Sequence, residues 1–169
     1  MTTINLPNST GTIGNLTVTG ALRTNDTKIR LGSNAGGSGG TNTVAIGTSS
    51  GVNQGSNSVS IGNQSGFSNM LNDCVAVGVN AGLSSMGVGS VSIGAISGTS
   101  IGTASVCIGF GAGFTSCASG AIIINAGGTD LSATSSGVYI SNMRGRAVGF
   151  GVGHIGYDNT TKELYYSTT

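Results

Sequence analysis

The stretch Asn57-Ser58-Val59-Ser60-Ile61-Gly62 decides the fold, because its last four residues form a phrase that recurs along most of the chain. The phrase has an apolar residue, a small residue, a second apolar residue and a glycine. Third positions of successive copies lie fifteen or sixteen positions apart, as Ile46, Ile61 and Val77 do, and such a fixed period is typical of repeat architectures. The copies lie at 29–32, 44–47, 59–62, 75–78, 91–94 and 106–109, with altered copies at 122–125 and 138–141.

Each repeat is expected to be one coil of a solenoid. The alternation of apolar and small residues predicts a β-strand, whose successive side chains point to opposite faces. A second glycine follows the first by four residues, behind a small residue, and two glycines so placed predict a tight corner. A looser apolar column after the corner predicts a second short strand. The small corner residues are Ala35, Ser50, Ser65, Ala81, Ser97 and Ala112, and the looser column is Val52, Phe67, Leu83 and Phe114.

These features predict an all-β chain, a parallel β-solenoid (a β-roll or β-helix) with one repeat to a coil and no helix. The valines and isoleucines are expected to stack in files that face the interior. We divide the chain into an N-terminal lead-in or attachment segment over residues 1–26, a solenoid rod over 27–141 and a C-terminal cap over 142–169.

The middle residue of each phrase suggests contact with another chain. A strand face in water would accept Lys or Glu, whereas the central copies carry only small, uncharged residues. A thin coil also buries few apolar side chains, each contributing about 1.5–3 kcal/mol, against an ordering cost of about 1–2 kcal/mol per residue. We therefore expect a homotrimer, intertwined or side by side. Its interface would hold Ala45, Ser60, Ala76, Ser92 and Cys107. The alternative is that small residues merely keep a narrow coil regular.

Residues 42–47 (NTVAIG) and 57–62 (NSVSIG) resemble the head repeats of trimeric autotransporter adhesins, and the similarity covers roughly residues 27–141. This resemblance implies a trimer of left-handed parallel β-rolls. The ends resemble viral proteins instead. Residues 16–22 look like lead-in segments of phage tail-fibre proteins, and residues 138–145 and 156–166 look like closing segments in fibres of phages and surface proteins of large DNA viruses.

The resemblances imply a structural virion protein: a fibre, spike or minor capsid component that forms a stiff surface projection or spacer, with host attachment as a further role. Its partners would be other capsid or tail proteins and a host surface receptor or glycan. Synthesis is expected in the cytoplasm of the infected cell. The alternative is the head domain of a cellular trimeric adhesin that binds host or matrix surfaces. Expected partner contacts near the C-terminus are Arg144, Arg146, Tyr157, Tyr165 and Tyr166.

Composition argues against other classes of function. Six Lys/Arg stand against five Asp/Glu, so no basic patch for nucleic acid is expected. No apolar run is long enough for a membrane span, and the first residues do not look like a secretory signal. His154 is the only histidine and lacks a nucleophile signature around it, so neither an enzyme nor a cofactor is expected. Without metal-ligand spacing, Cys74, Cys107 and Cys117 are expected to be reduced thiols that fill space, and no metal is expected.

Overall fold

The computed structural model describes residues 27–142, 154–158, 160 and 164–167. Over these residues the regular secondary structure consists of β-strands, and the prediction of an all-β chain is confirmed. The strands are β1 (Lys28–Leu31), β2 (Thr43–Ile46), β3 (Val59–Ile61), β4 (Val75–Val77), β5 (Ser85–Met86), β6 (Val91–Ile93), β7 (Ser100–Ile101), β8 (Val106–Gly109), β9 (Ala112–Cys117), β10 (Ala121–Asn125), β11 (Leu131–Ala133), β12 (Gly137–Ile140), β13 (His154–Tyr157) and β14 (Leu164–Ser167).

Two parallel sheets run along the solenoid. The first sheet stacks the eight phrases in the order β1-β2-β3-β4-β6-β8-β10-β12, and the second sheet has the order β11-β9-β7-β5. The stacking is in register, since Val59 pairs with Val75 and Ile61 with Val77. Each coil therefore lies on the next with equivalent residues aligned, and the predicted parallel β-solenoid is confirmed. Strands β13 and β14 form an antiparallel hairpin.

Glycine corners join the two sheets. In the coil that begins with β4, Gly78 has φ +130° and Gly82 has φ +61°, and Ala81 between them is fully buried. A Cβ on Gly78 would lie 2.5 Å from the carbonyl oxygen of Gly94 on the next coil. Contact this close leaves no room for a side chain, so the predicted glycine corner is confirmed.

The two faces of the first sheet are the reverse of the prediction. The middle residues of the phrases, such as Ser60 and Ser92, are fully buried inside the coil. The flanking residues point outward, with Ile61 and Ile93 nearly 40% exposed (37% and 39%). The expectation that valines and isoleucines fill the interior is therefore wrong. A coil made of a single short repeat encloses too narrow a space for two branched side chains from each strand.

Opposite side chains fill this narrow interior in complementary pairs. Ser60 Oγ donates a hydrogen bond to Met70 Sδ across the coil at 3.1 Å, so the two side-chain tips are in contact. A small residue on the first sheet faces a larger one on the second in most coils, and the order reverses at the C-terminal end. The pairs are Ala45 with Gln54, Ser60 with Met70, Ala76 with Met86, Ser92 with Ile101, Cys107 with Cys117, and Ile123 with Ala133.

The extra residue of the longer coils has a fixed place. From the small corner residue to the inward residue of the second strand the step is four positions in a shorter coil (Ser50 to Gln54) and five in a longer coil (Ser65 to Met70). The step from the inward residue of the second strand to the middle residue of the next phrase is always six positions, as from Gln54 to Ser60. Because the first strand and its corner never change length, the first sheet stays in register.

Hydroxyl groups supply much of the interior surface, and backbone carbonyls accept their hydrogen bonds. Ser50 Oγ donates to the Ser60 carbonyl at 2.8 Å, and Ser105 Oγ donates to the Ala118 carbonyl at 2.8 Å. Buried polar groups are costly when they lack partners, so these bonds allow serine to act as a small core residue. Gln54 differs, because its buried Oε1 has no hydrogen-bond partner.

Candidate interaction face

The outward face of the first sheet consists of Val, Ile and Leu at every position. The strands place two apolar columns side by side, one from the first and one from the third position of each phrase. We call these residues the apolar face. The first column is Ile29, Val44, Val59, Val75, Val91, Val106, Ile122 and Val138; the second is Leu31, Ile46, Ile61, Val77, Ile93, Ile108, Ile124 and Ile140.

The apolar face is long, narrow and partly exposed. At the usual strand spacing, eight strands extend about 35 Å, and three residues per strand make it about 10 Å wide. Its residues range from half-buried to clearly exposed, with Leu31 at 58% and Val138 at 62% near the two ends. A projected area of about 350 Å² is comparable to the largest apolar patches of monomeric proteins, which often mark interaction sites.

Apolar residues continue past both edges of the apolar face. Val79 and Phe110 follow the second column directly after the corner glycine, and they are 51% and 47% exposed. Leu71 and Val88 precede the first column on the return segment and are also exposed. At these four residues the apolar surface therefore extends beyond the two columns, on both sides of the apolar face.

Charged groups on the first strand turn away from this face. Arg30 occupies a middle position, and its aliphatic stem lies over the corner of the first coil, where a Cβ on Gly36 would be 3.0 Å from its Cγ. Lys28 Nζ donates a hydrogen bond to the Gly39 carbonyl at 2.9 Å. Both side chains cover the end of the interior, which is how solenoids commonly cap their terminal coil.

The residues expected at the trimer interface lie elsewhere. All five are fully buried within their own chain, in the file that faces the second sheet. They therefore have no surface to offer a second chain, and this assignment is wrong. Their small size reflects a confined space, but that space is the inside of the coil. The five are Ala45, Ser60, Ala76, Ser92 and Cys107.

The predicted partner contacts near the C-terminus stay predictions. Arg144 and Arg146 lie outside the described residues. Tyr157 lies in β13, and Tyr165 and Tyr166 lie in β14, where the backbone pairs Gly156 with Tyr165. Only the backbone of these two strands is described. The hairpin therefore shows that the three tyrosines lie on neighbouring strands.

Sequence reasoning missed the inward file of the second sheet. The column that it proposed, with Val52 and Phe67, is half-buried on the outside of the coil. The true file varies in residue type, and only its constant distance of six positions to the next middle residue could have revealed it. Its members are Gln54, Met70, Met86, Ile101, Cys117 and Ala133.

The described part of the chain lacks the features of a metal site and of a membrane-spanning helix. There, no group of three or more His, Cys, Asp or Glu side chains is placed to hold a metal ion. Among the same residues, no helix is long and apolar enough to cross a membrane. The three cysteines are buried and free of disulfide bonds.

Comparison with protein-family models, with curated proteins and with solved structures finds no match. A proposal about function therefore rests on the apolar face and on the resemblances of the sequence.

Proposed function

We propose that three copies of this chain pack their apolar faces around a common axis and form a stiff rod. The observation that carries this proposal is the apolar face itself, whose outward positions are all Val, Ile or Leu from Ile29 to Ile140. A single chain would leave this surface in water. At about 25 cal/mol per Å², burying about 350 Å² contributes roughly 9 kcal/mol per chain before the entropy cost of association.

The extent of the apolar surface supports three copies over two. Two chains packed face to face would cover the columns of the apolar face and leave its margins in water. In a closed three-fold arrangement, each chain meets two neighbours at an angle, so apolar residues beyond both edges become buried. Val79 and Phe110 on one side, with Leu71 and Val88 on the other, are placed for such contacts.

The trimer would serve as a structural virion component: a fibre, spike or minor capsid protein that acts as a spacer or presents attachment surfaces to a host. Display of three copies on one axis raises avidity without a tight single site. The viral resemblances of residues 16–22, 138–145 and 156–166 support this role. The second candidate is the head domain of a cellular trimeric adhesin, which the repeats at 42–47 and 57–62 favour.

The oligomer is tested by measuring the mass in solution with light scattering. The expected mass is three times the 16.4 kDa of one chain. Ile93→Lys places a charge at the centre of the apolar face on a residue that is 39% exposed in the single chain. We expect this variant to stay folded by circular dichroism and to be monomeric, because the trimer would have to bury three lysines without partners.

Ser100→Lys is the matched control, since Ser100 is exposed on the second sheet and should tolerate lysine without loss of the trimer. A wild-type chain that is monomeric at all concentrations, or an Ile93→Lys variant that remains trimeric, would contradict the proposed assembly. The biological setting has a separate test. Mass spectrometry of purified virus particles should find the chain, whereas its recovery from a cell surface alone would favour the adhesin.

A further inference from the structure

Two cysteines face each other across the interior of one coil. Cys107 is the middle residue of β8, and Cys117 is the inward residue of β9. A Cβ on the corner residue Gly113 would lie 2.6 Å from Cys107 Sγ and 3.0 Å from Cys117 Cβ. The two side chains therefore converge on one point above the corner, at positions equivalent to those of Ser60 and Met70, which meet across the coil in their own repeat.

The coil also distinguishes the two sulfur atoms chemically. The neighbouring Cys117 thiol, together with burial, raises the pKa of Cys107. The proximity of the Cys107 thiol lowers the pKa of Cys117, against the opposing effect of burial. Because the thiolate is the reactive form of cysteine, Cys117 is the sulfur that reacts first.

We propose that Cys107 and Cys117 form an intrachain disulfide across the coil when the native protein meets hydrogen peroxide. The Cys117 thiolate attacks one peroxide oxygen, the O–O bond breaks, hydroxide leaves and Cys117 becomes a sulfenic acid. Cys107 then loses its proton, and its sulfur attacks the sulfenic sulfur. The S–O bond breaks and the second hydroxide leaves. The two thiol protons and two hydroxides form two waters, so two thiols lose two electrons and the peroxide gains them.

The fold makes this bridge intrachain and selective. Both sulfurs lie inside the same coil, where Cys107 is fully buried and Cys117 is 3% exposed, so neither reaches the outer surface of the chain. Cys74 is also fully buried, but its thiol donates to the Gly87 carbonyl at 3.0 Å and faces no thiol. Hydrogen peroxide is the oxidant of choice because it is small enough to enter when the coil opens briefly.

The test uses the full chain in its native state. It is incubated with hydrogen peroxide, unfolded in a thiol-blocking alkylating agent, and analysed by mass spectrometry and non-reducing electrophoresis. We expect a loss of two hydrogens, about 2 Da, with a peptide cross-link between Cys107 and Cys117 and an alkylated Cys74. The chain should run as a monomer on the denaturing gel, and dithiothreitol should reverse the change.

The repeat itself supplies matched variants. Cys107→Ser places in this coil the residue found at the equivalent positions Ser60 and Ser92, and it should fold normally, lose the cross-link and stop at sulfenic or sulfinic acid on Cys117. In the wild type, oxidation of Cys117 to sulfinic acid without a cross-link would overturn the proposal. So would a bridge that includes Cys74, covalent dimers on the gel, or a cross-link that forms only after unfolding.

Discussion

Exchanging a large and a small residue that face each other in the core tests quantitatively whether the two side chains fill one shared space. Ile123 is fully buried on the first sheet, and Ala133 is its counterpart on the second, one coil beyond the pair formed by Cys107 and Cys117. Ile123→Ala removes most of a buried side chain and should lower the free energy of unfolding by about 3–4 kcal/mol. Ala133→Ile overfills the same space and should cost about 1–3 kcal/mol.

The double variant restores the total volume with the large residue on the second sheet, as in the pair of Ala76 and Met86. Independent effects would sum to about 4–7 kcal/mol, but we expect a loss of only about 2–3 kcal/mol, hence a coupling of roughly 3 kcal/mol. Urea unfolding followed by circular dichroism measures these values. All variants are compared at one chain concentration, because the stability of an oligomer depends on it.

A second cycle serves as the control, with the same two types of change made two coils apart. Ile101 pairs with Cys117 in the second sheet, and Cys117 pairs with Ala133. Ile101→Ala combined with Ala133→Ile should therefore be additive to within about 0.5 kcal/mol. If Ile123→Ala and Ala133→Ile were also additive, these residues would not share one cavity and the pairing of the core would be refuted.

Two further predictions concern single positions. Gly78→Ala should cost about 3 kcal/mol or more in urea unfolding, because its Cβ would lie 2.5 Å from the Gly94 carbonyl oxygen and φ is +130°. Gly89→Ala, where φ is +69° and no atom lies within 4 Å, should cost only about 1 kcal/mol; equal losses would contradict the stacking argument. Gln54→Met should raise the melting temperature and stabilise the chain by about 1 kcal/mol, because it removes a buried oxygen without a partner and matches Met70 in the next coil. A lower melting temperature would mean that the hydrogen bonds from the Gln54 amide nitrogen contribute more than the orphan oxygen costs.

The period and the corners could be predicted from the sequence because each is fixed by local chemistry. Glycine at Gly78 and Gly82 is needed for positive φ, and the phrase aligns with itself once coils stack. Which face points inward is not a local property. Alternation shows that Val75 and Val77 share a face and that Ala76 lies on the other, but it is the width of the coil that decides which side is interior.

The small middle residues of the phrases correctly indicated a confined space, but the prediction placed that space between chains instead of inside the coil. A column such as Ser60, Ala76 and Ser92 does indicate that space is confined. In most domains the branched apolar residues would then form the core and the confinement would come from a neighbour. Here the coil closes on itself within a single repeat, so its own opposite wall is the neighbour. The residue pairing across that wall depends on volume rather than residue type, which a single sequence does not display.

The fixed placement of the extra residue has a consequence for how such proteins change over time. Each coil bonds only to the coils on either side, and the strand and corner of the first sheet keep one length in the shorter and the longer units alike. Duplication or deletion of a whole unit would thus alter the height of the molecule in increments of about 4.8 Å and keep the backbone register of the first sheet. The length of the rod can therefore change during evolution by whole coils, while the interior of each coil keeps its own packing.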